Sequence, residues 1–339
     1  MIFWSFFQLF ATIYCAAPKL RDWHNRIFSF IWARALRFQQ QIMKKFTLEL
    51  FTTIIGIGSA SGLFFQGNSL YLIGDNSGFL YEYNITDTSL NKYPLLQNPS
   101  DNIPKKDKPD FESITHFQDT LYIFGSGSTA RRNAMIEFDL KTRKKATTNN
   151  LVDLYAVMQS FGNIKPEDFN LEGAIYDGEN WYFFNRANES NNKNVIYTLH
   201  AKKLNEEFSL ISNEYKLPKI KGVRSSFTDA ILVDDKIYFL ATAENTSSTY
   251  DDGEILGSII GCIDLDTMKI DFTQKISPTN KFEGLTLYSK TKDQTKYRPQ
   301  VKKKTISISS QTELHLYSFV LLEYHSRKAL FLPQFDFLK

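Results

Sequence analysis

KFEGLTLYS, residues 281–289, has an upstream counterpart in DFNLEGAIY, residues 168–176. In each, a carboxylate and a small residue stand just ahead of a short apolar run. Three further segments align with them, giving the series SGLFF from Ser61, FESIT from Phe111, LEGAIY from Leu171, FTDAIL from Phe227 and FEGLTLY from Phe282. Gly62, Ser113, Gly173, Ala230 and Gly284 mark the register, at spacings of 51, 60, 57 and 54.

Within the first four units a second and a third strand-like run follow the marker. They are SLYLIGD and FLYEY in the first, TLYIFG and AMIEFDL in the second, WYFF and VIYTL in the third, and KIYFL and SIIGCIDL in the fourth. Turn residues such as Asp177-Gly178 and Asp234-Asp235 separate them. Val, Ile, Phe and Tyr between turn signals are the mark of antiparallel strands. A repeat of this length built from them predicts an all-β chain, a β-propeller of mostly four-stranded antiparallel blades. Five blades fit the five markers, with six as the alternative. TLELF, residues 47–51, supplies a strand that closes the ring by completing the last blade. LVDLYAVMQSF, residues 151–161, reads as a short helix or as an outer strand plus turn, inserted where the spacing reaches 60.

Composition sets the outer bounds. The chain has 339 residues, 42% hydrophobic and 15% aromatic, enough to fill a core. Two cysteines, Cys15 and Cys262, support neither a disulfide scaffold nor a zinc cluster. Residues 1–45 hold seven basic side chains against Asp22 alone, so a net charge of +3 leaves the rest mildly acidic. That argues against a nucleic-acid surface. Residues 1–42 read as an apolar and basic extension outside the propeller of residues 43–339. Translation from Met43 predicts a cytoplasmic protein, whereas a signal or anchor in residues 1–42 predicts export or membrane contact. Residues 291–339 either supply closing strands, TISIS at 305–309 and ELHLYSFVLL at 313–322, or follow a frame shift that leaves the fifth blade incomplete.

In a propeller the first strand of each blade lies against the central axis. Glu112, Glu172, Asp229 and Glu283 each precede a marker, so the register brings four carboxylates to one channel mouth. Gathered like charges need cations, arginines or raised pKa values. A hard divalent cation, Ca²⁺ or Mg²⁺, is one filling. An internal network with Arg131, Arg132, Arg186 and Arg224 is another, and loop capping without a ligand is a third. GSGSTARRN, residues 125–133, offers Ser126, Ser128, Arg131 and Arg132 for a small anion, although it lacks the Gly-Lys-Ser/Thr end of a nucleotide-binding loop. DNSG, residues 75–78, has calcium-loop-like composition but lacks the twelve-residue pattern and terminal glutamate, and reads as a turn. His116 lies four residues beyond Glu112, and no His-Glu-x-x-His or Gly-x-Ser-x-Gly motif is present.

The marker strands and the glycine–serine–arginine loop (Gly125, Ser126, Gly127, Ser128, Arg131 and Arg132) resemble a bacterial propeller-like family of unknown function over roughly residues 44–290. Glu172-Gly173 and Glu283-Gly284 more distantly resemble the strand starts of phytase-like and SdiA-regulated propellers. The first resemblance implies a propeller without an activity. The second implies calcium and phosphate-ester cleavage, carried by two dipeptides alone. The sequence therefore predicts a propeller whose channel mouth binds a ligand or metal. A metal-dependent phosphoesterase and a protein-interaction scaffold are the alternatives.

Overall fold

Every strand expected from the repeat up to residue 290 is present in the computed structural model. The model describes residues 48–187, 193–245, 253–293, 314–323 and 328–337. The extension 1–42 and TISIS lie outside the described residues.

Five four-stranded antiparallel sheets form the blades. Strand β1 (Glu49–Thr53) belongs to the last of them. Blade 1 is β2 (Ala60–Gln66), β3 (Ser69–Gly74), β4 (Phe79–Asn84) and β5 (Leu90–Pro94). Blade 2 is β6 (Phe111–Phe117), β7 (Thr120–Gly125), β8 (Ala134–Asp139) and β9 (Lys144–Asn150). Helix α1 (Val152–Gly162) leads to blade 3, which is β10 (Leu171–Tyr176), β11 (Asn180–Asn185), β12 (Asn194–His200) and β13 (Ser209–Tyr215). A small hairpin, β14 (Lys219–Ile220) and β15 (Val223–Arg224), precedes blade 4. That blade is β16 (Ser226–Val233), β17 (Lys236–Asn245), β18 (Glu254–Asp264) and β19 (Lys269–Ser277). Blade 5 is β20 (Phe282–Asp293), β21 (Leu314–Glu323), β22 (Lys328–Phe337) and, on its outer edge, β1.

The innermost strands touch in the cyclic order β2, β6, β10, β16, β20 and back to β2. Five blades therefore close a ring, and six do not apply. The alternative of an incomplete fifth blade is not realised, because β21 and β22 fill it and β1 seals its edge. Residues 151–161 form the helix rather than an outer strand. Asn150 Oδ1 accepts the Val152 N–H at its start, and Asn163 in the left-handed region ends it.

The apolar side chains pack between blades. Tyr176 stacks on Trp181 at 4.0 Å between ring centroids, and Phe124 of blade 2 meets Phe183 of blade 3 edge-on at 5.2 Å. Phe184, Phe227 and Phe239 make a similar seam between blades 3 and 4. Burial of such rings contributes roughly 25 cal/mol for each Å² of apolar surface removed from water.

One local feature recurs five times and positions the site. Each innermost strand carries a β-bulge, with the ladder skipping Ser61, Glu112, Glu172, Thr228 and Glu283. A bulge leaves its extra residue outside the ladder and re-aims its side chain. In blade 4 the bulged residue is Thr228. Asp229 pairs with Leu240 as Gly173 pairs with Phe184, so Asp229, and not Ala230, is the counterpart of the marker residue. The mismatch arises because blade 4 places its acid where the other blades have Gly or Ser.

Candidate functional site

Three of the five bulges carry glutamate and two carry hydroxyls. The hydroxyls serve the ring. Ser61 Oγ donates to the Phe111 carbonyl, and Thr228 Oγ1 donates to the Phe282 carbonyl at 2.6 Å, each bridging to the next blade. Glu112, Glu172 and Glu283 stand at the mouth among residues from two sets of loops. One set connects consecutive blades and the other joins the second and third strands of a blade. In an antiparallel blade both emerge on the same face.

On one side of the mouth, Lys108 Nζ lies 2.6 Å from Asp75 Oδ2 and 2.6 Å from Asp110 Oδ1. Asp110 Oδ2 accepts from Ser126 Oγ at 2.5 Å and from Arg132 Nη1 at 2.9 Å. Arg132 Nη1 also reaches Ser128 Oγ at 2.7 Å, and Ser128 Oγ lies 3.3 Å from the same Asp110 oxygen. The glycine–serine–arginine loop thus holds a carboxylate, and that carboxylate is the protein's own. The loop is fixed from below. Tyr155 of α1 donates to the Gly125 carbonyl at 2.9 Å, and Gly127 sits at φ +76° against Tyr155 and Phe169. Arg131 points away; it is exposed and pairs with Asp107 at 2.9 Å.

On the other side, Arg186 joins Glu172 (2.9 Å) to Glu244 (2.8 Å), and Lys281 joins Glu283 (2.7 Å) to Glu244 (3.6 Å). Asn170 Nδ2 donates to Glu172 at 2.8 Å, and Glu244 Oε1 accepts the Gly253 N–H at 2.9 Å. Arg224 lies in the β14–β15 hairpin, and its Nε has no hydrogen-bond partner among the described residues.

Glu112 lies between the two sides. Among the described residues it has no ion-pair partner, and enclosure by protein together with Asp110, Glu172, Asp75 and Glu283 pushes its carboxyl well above the ordinary range. Burial, with Glu172 beside it, raises Glu283 to about 7 although Lys281 pulls the other way. Asp75, Asp110 and Glu112 each present a carboxylate oxygen within 4.8 Å of the other two. Three oxygens at that separation form a set able to hold one hard cation.

Of the sequence-predicted residues, Glu112, Glu172, Glu283, Arg132, Arg186, Ser126 and Ser128 join the two halves of this mouth. Asp229 sits one register step further along its strand. Its oxygens accept the Ala230 N–H at 2.7 Å and the Leu285 N–H at 2.6 Å, and burial raises its pKa. His116, at the far end of β6, packs tilted against Phe64 with ring centroids 4.1 Å apart. Asp75, Lys108, Asp110, Asn170, Glu244 and Lys281 were not anticipated. Three of them had a signal, since Asp110, Asn170 and Lys281 each stand two residues before a bulge glutamate in the triplets DFE, NLE and KFE.

A family model described as a family of unknown function, DUF6929, matches residues 56–299. No curated protein matches. Among solved structures, the chain is similar to a glutaminyl cyclase of Myxococcus xanthus at 10% identity and TM-score 0.45, over 87% of this chain and 96% of that one. It is also similar to a luciferin-regenerating enzyme at 8% identity and TM-score 0.41, over 87% of this chain and 99% of that one. Likenesses at this level carry no argument about activity.

Proposed function

The chain belongs to this family of unknown function, and from its own residues we propose that the channel mouth is a divalent-cation site, with Asp75, Asp110 and Glu112 as ligands for Ca²⁺ or Mg²⁺. The observation that carries the reading is a mismatch of charge. Six carboxylates gather at the mouth, Asp75, Asp110, Glu112, Glu172, Glu244 and Glu283, against four cations, Lys108, Arg132, Arg186 and Lys281. The difference of two negative charges equals the charge of one divalent ion. The two acids with raised pKa values, Glu112 and Glu283, meet that deficit with protons when no ion is bound.

The cation favours the Glu112 side. Glu172, Glu244 and Glu283 already share Arg186 and Lys281, whereas Glu112 has no such partner among the described residues. Carboxylate oxygens select hard ions, and Ca²⁺ tolerates irregular geometry better than Mg²⁺. A small anion is less well served, because Arg132 and Arg186 are both committed to carboxylates.

Calorimetric titration with calcium and magnesium chlorides tests this, using two buffers of different ionisation enthalpy at pH 7. The expected result is binding that releases protons, weakened at least about tenfold in Glu112→Gln through loss of one charged ligand. A folded wild-type protein that takes up neither ion would end the proposal.

A further inference from the structure

Lys108 stands where the proposed ion would stand. Its Nζ contacts Asp75 Oδ2 and Asp110 Oδ1 at 2.6 Å each, and its side chain is 14% exposed. The ammonium satisfies only part of the acid set. Asp75 Oδ1 is buried and has no hydrogen-bond partner, and Glu112 has no ion pair among the described residues. Asp110 Oδ2 is separately occupied by Ser126 and Arg132. One carboxylate oxygen from each of Asp75, Asp110 and Glu112 lies within 4.8 Å of the other two. The ammonium is in direct contact with two acids of the triad and acts on Glu112 only through space, whereas an ion with six or more coordination positions can contact three.

We propose that Lys108 is an intramolecular competitor for the cation site, resting on the cation-binding reading above. An ammonium and a divalent ion cannot share the gap, because like charges about 4 Å apart in a partly buried site repel strongly. Ion entry therefore requires the ammonium to leave the gap for the rim of the mouth, where its charge still counts toward the balance. The means to do so are local. The lysine head rides on a flexible four-carbon stem, and its loop neighbours Lys105 and Lys106 are exposed to solvent. The backbone of the loop is meanwhile pinned, with Asp110 N–H donating to the Asp75 carbonyl at 2.9 Å and Ile103 N–H to the Asn76 carbonyl at 2.7 Å. The ammonium can swing while the carboxylates keep their places. In this arrangement Lys108 sets the affinity of the mouth and offsets the repulsion between the acids when no ion is bound.

The test compares wild type, Lys108→Met and Lys108→Arg in the full chain by titration with calcium and magnesium chlorides, each variant checked by thermal melting. Competition predicts that Lys108→Met binds at least about tenfold more tightly than wild type, because removing a competing positive charge from a partly buried site strengthens the ion's attraction. Lys108→Arg, which keeps the charge, should stay near wild type. A folded Lys108→Met that binds no better than an ion-binding wild type would overturn the competitor role and leave the cation reading standing. Absence of binding in all three would overturn the cation reading itself. If Lys108→Met unfolds from repulsion between Asp75 and Asp110, recovery of its melting transition on adding calcium chloride supports competition, and failure to recover counts against it.

Discussion

Asp229 Oδ2 accepts the Leu285 N–H at 2.6 Å and so ties the innermost strand of blade 4 to that of blade 5. The other blades carry Gly or Ser in this place, and at Gly173 and Gly284 an added Cβ would lie about 3.2 Å from the backbone nitrogen of the next blade's strand. Among the described residues at this position, Asp229 is the one that reaches across with an acceptor. Replacing it with Ala removes two acceptors from buried N–H groups, at a cost of about 1–3 kcal/mol for each group left unsatisfied. Asp229→Ala should therefore lower the urea midpoint of unfolding while leaving calcium affinity within about twofold of wild type, since its oxygens serve backbone N–H groups and it is not one of the three clustered acids. A large loss of ion affinity in a folded Asp229→Ala protein would instead put Asp229 among the ligands.

The raised carboxyls give the protein a pH signature. Glu283 binds its proton more tightly when folded, at about 7 against 4.5 for the unconstrained group. Between those values the folded chain holds more protons than the unfolded one, so stability falls as pH rises. The stabilisation is complete below about pH 4.5 and is lost as the pH passes 7. Glu112 shifts in the same direction and adds to the decline. Melting temperatures measured from pH 5 to pH 8 without divalent ions should decline, less steeply in Glu283→Gln. A profile identical in the variant would show that Glu283 is not the group responsible.

Gly127 is held at φ +76° with Tyr155 and Phe169 only 2.7 Å from where a Cβ would stand. Gly127→Ala meets both a backbone penalty and a clash, and should destabilise by about 1–3 kcal/mol. Tyr155→Phe removes only the hydroxyl donated to Gly125 and should cost about 1 kcal/mol. Denaturant unfolding of the two variants should rank them in that order. The reverse ranking would mean that α1 anchors the loop mainly through that one hydrogen bond.

Strand β1 comes from before the first blade yet seals the last, pairing Glu49 with Phe331 and Thr53 with Lys328. A chain beginning at residue 56 would lose that strand and expose the β22 edge, an invitation to pairing between molecules. Light scattering and thermal melting should show association and a lower, less cooperative transition than a chain beginning at residue 43. An unchanged monomeric transition would show that ring closure does not depend on β1.

The five-fold pattern was legible in the sequence because a propeller repeats its innermost strand, and a repeated strand repeats its polar and apolar order. FESIT, LEGAIY and FEGLTLY lined up on that basis, and so did the closing strand near residue 49. FTDAIL lined up one residue out of step. The two frames differ only in which residue bulges out of the ladder, and hydrogen-bond pairing decides that. The glycine–serine–arginine loop was equally visible as an anion cradle. Its anion, Asp110, could not be identified, because Ser126 and Asp110 meet across the β6–β7 ladder of blade 2 and not along the chain.

The sequence by itself determined the strand order, the five blades, the acids of the bulges and the arginine-rich loop, since each is written in local periodicity. The tertiary structure alone decided which further carboxylates join Glu112, Glu172 and Glu283. Asp75 follows the second strand of blade 1, Asp110 and Glu112 open blade 2, and Glu244 ends the second strand of blade 4. These positions share no common spacing. They converge because the ring brings the inter-blade loops and the second-to-third-strand loops of every blade to one face, where charge is paired through space and not through sequence.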